Sequence, residues 1–265
     1  MHNEVILLIP HYNNVIGLKK SLKSIGITEE IDVLIVDDGS KQNCIVENEV
    51  SACFKANGTV FFKYLITNLG IEHALNAGLE FILKNNYKYT ARLDCGDLCN
   101  ELRFKKQYTF LQKNKDISLV GTNVKFYSTQ NKFLYALSLP ELDEDIRKKM
   151  FLNAMFIHPT IMFSNHILKK TGFYPTNYKA AEDFAFFFKV LKYYKVANIN
   201  EFLVDCELNS NGISKVQRNS QAKNRIKIIL ENFYFGFYPI YGILRSLLLL
   251  ILPVWFLLQL KKFLK

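Results

Sequence analysis

Four short apolar runs, each closed by turn-forming or acidic residues, constrain the fold of this chain more than any other feature. Val5-Ile6-Leu7-Leu8-Ile9 contains no polar residue and ends at Pro10. Ile31 to Val36 ends at Asp37-Asp38-Gly39-Ser40, Thr59 to Ile66 is rich in β-branched and aromatic residues, and Tyr87 to Leu93 stops at Asp94 and Asp97. Short runs without strict alternation suit strands covered on both faces. Between them, Leu18, Leu22 and Ile25, and then Ile71, Leu75, Gly78, Leu79 and Ile82, recur at helical spacing. The alternation predicts an α/β fold with a mainly parallel central sheet flanked by helices, whose ligands gather beyond the carboxyl ends of the strands. Asp37, Asp38, Asp94 and Asp97 all fall at such ends.

Two carboxylates brought together repel each other unless a cation, a proton or a hydrogen-bond donor intervenes, so Asp94 and Asp97 suggest a divalent ion. Oxygen-only ligation favours Mg2+ or Mn2+. The same two residues also suit a turn and the cap of a helix beginning near Glu101. In the second half, Ile117 to Tyr127 and Pro159 to Phe163 read as strands, Asp143 to Leu152 as a helix and Gly172 to Tyr178 as a loop. Glu182 and Asp183 open a helix with Phe184, Phe187, Phe188 and Leu191 on one face, and first-turn acids favour the helix dipole whatever else they do.

Of the 265 residues 49% are hydrophobic, enough for a sizeable core and too many for a disordered chain. Five cysteines without a Cys-x-x-Cys pair argue against a disulfide framework or a zinc ribbon and for reduced, cytosolic thiols. The amino terminus lacks the basic flank and long apolar run of a secretory signal. The net charge of +10 is concentrated in residues 215 to 265, where nine Lys and Arg face one acid, Glu231. That segment also holds Leu247 to Leu252, so its expected partner is an anionic membrane surface and not nucleic acid. Pro239, Gly242 and Pro253 interrupt it, and the uncharged stretch from Ser246 to Leu258 falls short of the ~20 residues that cross a bilayer. A broken helix lying in one leaflet is expected, with packing on the domain as the other reading. The division is therefore 1–215 for the globular domain and 216–265 for a basic, apolar helical tail.

No Gly-x-Gly-x-x-Gly follows the first strand, and phosphate-loop, nucleophile-elbow and His-Glu-x-x-His motifs are absent. An acid-lined, metal-assisted site remains. Ile9-Pro10-His11-Tyr12-Asn13, Val36-Asp37-Asp38-Gly39-Ser40, Asn68-Leu69-Gly70, Ala74-Leu75-Asn76-Ala77-Gly78, Ala91-Arg92-Leu93-Asp94, His158-Pro159 and Glu182-Asp183 stand in an order and spacing that resemble the family 2 inverting glycosyltransferases of the GT-A fold, bacterial surface-polysaccharide type. The resemblance covers about residues 4 to 215.

The resemblance implies transfer of a hexose or N-acetylhexosamine from a nucleotide-diphosphate sugar, a UDP-sugar foremost, to a hydroxyl of a growing, lipid-linked surface glycan. It implies inversion at the anomeric carbon and a location on the cytoplasmic face of the inner or plasma membrane. Pro10, Tyr12, Asn13 and Asp38 would frame the nucleotide. Asp94 would face the ribose, Asp94 and Asp97 the diphosphate through Mg2+ or Mn2+, and Arg92 would add positive charge. Asp183 would be the base, with Glu182 orienting, and His158 would lie near the acceptor. Three departures stand out: Gly96 replaces the middle Asp of the usual Asp-x-Asp-Asp, Glu207 and Asn209 occupy a region where an Arg and a His are usual, and no Pro follows in Asn100-Glu101-Leu102-Arg103. Lys215 or Arg218 would then have to meet the phosphates. The first two departures motivate the alternative, a membrane-anchored nucleotide-binding pseudoenzyme or scaffold of the same fold.

Overall fold

A computed structural model of the chain describes residues 3–208 and 216–251. The first four apolar runs form β1 (Val5–His11), β2 (Asp32–Asp37), β3 (Val60–Tyr64) and β4 (Tyr89–Arg92), all mutually parallel in the spatial order β3-β2-β1-β4. Helices α1 (Val15–Lys23), α2 (Glu47–Ser51) and α3 (Ile71–Lys84) connect them. Chain order reverses at β1, whose neighbours are β2 on one side and β4 on the other. A crevice therefore opens beyond the carboxyl ends of β1 and β4, the usual place for a ligand in such a sheet.

Burial of both faces explains why these runs lack alternation. Ile6, Leu8, Leu34 and Val36 pack into one core layer with Ala74, Leu75, Leu79 and Ile82 of α3. Val5, Leu7, Ile9, Val33 and Ile35 pack into the other with Leu18 and Leu22 of α1. Each of the Val, Leu and Ile side chains among them contributes about 1.5–3 kcal/mol by leaving water.

The α/β fold with its central sheet flanked by helices is as expected, and the second half adds antiparallel strands to it. The strands are β5 (Leu98–Cys99), β6 (Ile117–Ser128), β7 (Phe133–Leu137), β8 (Met162–Ser164) and β9 (Lys195–Leu208), completing a nine-stranded sheet among the described residues. β8 is antiparallel to both β4 and β6, and β5 and β7 are antiparallel additions, whereas β6 and β9 run parallel. β9 escapes a periodicity reading because its pairing with β6 shifts register at three places. β7 escapes it because most of its residues are exposed.

The helices of this half are α4 (Arg103–Lys113), α5 (Asp143–Lys149), α6 (Leu168–Thr171) and α7 (Glu182–Tyr193). Two more follow. Helix α8 (Arg218–Glu231) buries Ala222, Ile228 and Ile229 and packs on α7, so residues beyond the expected boundary at 215 belong to the body of the domain. Helix α9 (Phe237–Ile251) lies on α8 and comes so close to Phe151 that a Cβ at Gly242 would sit 2.2 Å from that residue's carbonyl oxygen. No helix among the described residues is long and apolar enough to cross a membrane.

Candidate active site

The exits of β1 and β2 are tied together by side chains. His11 is buried, its Nδ1–H donating to Asp37 Oδ2 at 3.1 Å while its Nε2 accepts from the Asn14 amide, also at 3.1 Å. These two bonds call for the neutral ring, and burial pushes its pKa down against the pull of Asp37. Asp37 Oδ1 accepts from the Ser40 amide at 2.7 Å. Asp38 is buried as well, and its two oxygens accept from the amides of Leu69 (2.9 Å) and Gly70 (3.0 Å), which fixes the turn before α3. Burial raises its pKa, the two amides working against that rise. Gly39 has φ +69°, and a Cβ there would lie 2.4 Å from Thr67, so the two loops touch backbone to backbone.

Of the four residues expected to frame a nucleotide, Tyr12 presents a half-exposed ring and Pro10 is partly buried at the strand's end. Asn13 does other work. In the left-handed region, φ +51°, it spends its side-chain oxygen on the amides of Lys41 and Gln42 and so shapes the loop. Beside these residues a cavity of about 290 Å³ is lined by Asp37, Gly39, Ser40, Lys41, Tyr64 and Leu65.

The exit of β4 is built on two fully buried arginines. Arg92 donates from Nη1 to the carbonyls of Leu8 and Leu93, from Nη2 to Asp94 Oδ1 at 2.8 Å, and from Nε toward His158 Nε2 at 3.5 Å. An expected phosphate contact is thus an internal brace whose charge is consumed by Asp94 and the strand ends, because a buried guanidinium must be paired. Arg103, which the sequence reading missed, donates to the carbonyls of Arg92 and Pro159 from below. An Arg at the start of an otherwise polar helix gave no signal that it would turn inward.

Asp94 keeps 39% of its side chain accessible and faces the crevice. Asp97 does not. It is buried, accepts from the Glu207 amide of β9 at 2.9 Å, and is pushed up to about 8 by burial and by Asp94. Gly96 between them has φ +104° with open space around it. The expected metal pair is therefore one site carboxylate and one structural acid that joins its loop to β9. Among the described residues no three His, Cys, Asp or Glu side chains converge on a common point. Mg2+ or Mn2+ at a nucleotide site takes one or two protein carboxylates and completes its shell with phosphates and water, so Asp94, accessible at the crevice, would be the residue to hold it.

The acid pair at the start of α7 lies near enough to Asp94 for their charges to interact. Glu182 is buried, its Oε2 has no hydrogen-bond partner, and burial and Asp183 raise its pKa to about 8. Burial and the neighbouring carboxylate both favour its neutral form. Asp183 accepts from the Phe184 amide at 2.6 Å, and burial raises its pKa too, countered by that amide and by Arg225. Asp94 lies close enough to raise both. His158 sits deeper than an acceptor contact requires: it is buried, its pKa is held well below the usual value by burial and Arg92, and its Nε2 accepts from the Tyr174 hydroxyl at 2.8 Å. Tyr174 is held in turn by two bonds between its backbone and the Asn76 amide, at 2.8 and 2.9 Å.

The structure thus gathers Tyr12, Asp94, Glu182 and Asp183 around one crevice and puts Asn13, Asp38, Arg92, Asp97 and His158 in its supporting frame. Arg218 donates to the Leu249 carbonyl, while Lys215 and Asn209 lie outside the described residues. A larger cavity, about 410 Å³, opens between α6, α7 and α8, and none of the expected site residues lines it. A partly exposed carboxylate near two carboxyls of raised pKa can serve proton transfer to a group held between them.

The sequence pattern of glycosyl transferase family 2 matches residues 6–172. An uncharacterized glycosyltransferase of Haemophilus influenzae is 28% identical over 243 residues, 87% of this chain and 73% of its own length. The amylovoran biosynthesis glycosyltransferase AmsE of Erwinia amylovora is 25% identical over 186 residues, 68% of either chain. Among solved structures, residues 1–349 of S. aureus TarS in complex with UDP-GlcNAc superimpose with a TM-score of 0.65, covering 94% of this chain and 73% of that one at 16% identity, a likeness of fold.

Proposed function

Because the chain belongs to glycosyl transferase family 2, a glycosyltransferase of the GT-A fold, we propose that it moves a hexose or N-acetylhexosamine from a UDP-sugar to a hydroxyl of a growing surface glycan, with inversion. The observation that carries this reading is the acid pair of α7 lying near enough to Asp94, at the crevice of β1 and β4, for their charges to interact. The nucleotide lies over Tyr12, with Pro10 beneath it and Asp94 toward the ribose. The acceptor hydroxyl gives its proton to ionised Asp183 as its oxygen bonds to the anomeric carbon. The bond from that carbon to the diphosphate breaks on the far face, and the nucleoside diphosphate leaves with the electron pair. A base of raised pKa is well matched to a neutral-pH proton transfer. Neutral Glu182, with a free buried oxygen, orients a substrate hydroxyl.

The acceptor in this reading is lipid-linked, and the enzyme works on the cytoplasmic face of the membrane. The outer face of α9 supports this, since Phe237, Ile240, Tyr241, Leu244, Leu248 and Ile251 are exposed on a helix whose other side is docked. Incubating the protein with a panel of nucleotide sugars and an acceptor extract tests the activity by nucleotide release. Asp183→Asn should lower kcat by about 10²–10⁴-fold while leaving the folded spectrum intact. Undiminished turnover would remove Asp183 as base. Removing residues 233–265 should move the protein from the membrane fraction to the supernatant, and continued sedimentation would refute the anchor.

A further inference from the structure

The entry to α7 is clasped from outside by α8. Gln221 Nε2 donates to the Ala180 carbonyl at 3.0 Å and Asn224 Nδ2 to the Lys179 carbonyl at 2.8 Å, while the Tyr178 hydroxyl donates to Glu231 at 2.6 Å. Three successive residues, 178 to 180, are thus held just ahead of the acid pair. The clasp has something to hold, since Ala180 sits at φ +61°, in the left-handed region that a Cβ-bearing residue resists.

Arg225 lies on the same helix. Its guanidinium carbon rests 4.6 Å from the centre of the Phe184 ring, and its Nη2 donates to Asn153 Oδ1 at 2.6 Å. Phe184 is the residue whose amide binds Asp183. We propose that Arg225 is a positioning residue for the transfer reaction, holding the first turn of α7 through the Phe184 ring and so keeping a positive charge near the residue whose amide binds Asp183. Neutral packing alone does not call for a half-buried arginine at this point.

The charges around Asp183 come from several elements. Glu182 is its neighbour on α7, Asp94 acts on it from the exit of β4, and Tyr174 lies near both acid groups. Glu72 of α3 acts on Glu182, Arg92 acts on Tyr174, and Arg245 of α9 faces Arg225. Arg225 acts on Asp183 in favour of ionisation. Its removal therefore makes Asp183 harder to ionise.

The inference rests on Asp183 as the base, and its test has a readout that does not. The full chain labelled with ¹³C-carboxyl aspartate is titrated by NMR, Asp183→Asn assigning the signal. In Arg225→Met the Asp183 resonance should titrate at higher pH than in the wild type, and in Arg225→Lys it should return toward the wild-type midpoint. With the best donor, the acid limb of kcat should move the same way, leaving Arg225→Met about tenfold slower at pH 6 while rates converge at pH 9. Gln221→Ala, which loosens the clasp without touching charge, should slow the enzyme equally at all pH values. Should Arg225→Met fail to fold, Arg225→Gln keeps the polar contact to Asn153 and gives the same reading. An unmoved Asp183 titration overturns the proposal. A moved titration with an unmoved rate profile spares the charge effect but removes Asp183 as base.

Discussion

The two sides of the crevice are built by different means. On the strand-end side, the exits of β1, β2 and β4 bring residues together because parallel strands end together, and the frame is closed by bonds such as His11 to Asp37 and Arg92 to Asp94. On the α7 side, the acid pair stands at the helix start, and its setting depends on α8 and the loop carrying Tyr174, segments far apart in the chain. The contrast separates rigidity from tuning. The strand-end side uses buried charges to fix backbone, whereas the α7 side leaves carboxyls with raised pKa values at the crevice.

The comparison breaks most readily at Arg92. Arg92→Met should cost about 3–5 kcal/mol in urea unfolding, because Asp94 and two strand-end carbonyls lose their partner together. A loss confined to catalysis, with stability unchanged, would show that Arg92 serves the substrate after all. Next comes His11→Leu, which strands Asp37 Oδ2 and the Asn14 amide. Calorimetric titration with UDP should find affinity reduced about tenfold, the equivalent of the 1–3 kcal/mol that unmade buried bonds cost.

Glu182→Gln sharpens the α7 side through pH. The folded pKa of Glu182 is near 8 and the ordinary value is 4.5, so between those pH values the folded state retains a proton that the unfolded chain has released. Stability contributed by the group therefore falls as pH rises through that window. Melting curves should show the wild type losing more than the variant between pH 5 and 8, with the gap widening steadily toward pH 8. Equal slopes would mean that Glu182 is ionised when folded. The smallest effect belongs to Gly96→Ala. Nothing lies near the position, so only its φ of +104° resists a side chain, at a cost of about 1 kcal/mol. A larger loss would reveal a contact at this turn.

Much of the fold was legible beforehand. The doubly covered strands β1 to β4 show themselves as apolar runs, and the face of α3 shows itself by spacing, because burial on two faces or one stripe leaves a periodic trace. β5, β7 and β9 left none, being very short, exposed or irregular in register. For the site, motif position found the residues but not their orientation. Asp97 and Asp94 look alike in sequence, yet one meets the crevice and the other an amide of β9. Arg103 and Tyr174 were invisible, since a polar residue that braces a site from beneath has the same local signature as one on the surface.

The sequence by itself determined the α/β class, the parallel order of its first half and the four strand ends at which acids collect, because these follow from short-range patterning of apolar and turn-forming residues. The tertiary structure alone decided which acids face the crevice and which are spent on the frame, where Arg92 and His158 point, and that α8 lies against the acid pair. Those outcomes depend on which buried polar group finds a partner, and the partners lie on strands and helices that only the folded chain brings into reach.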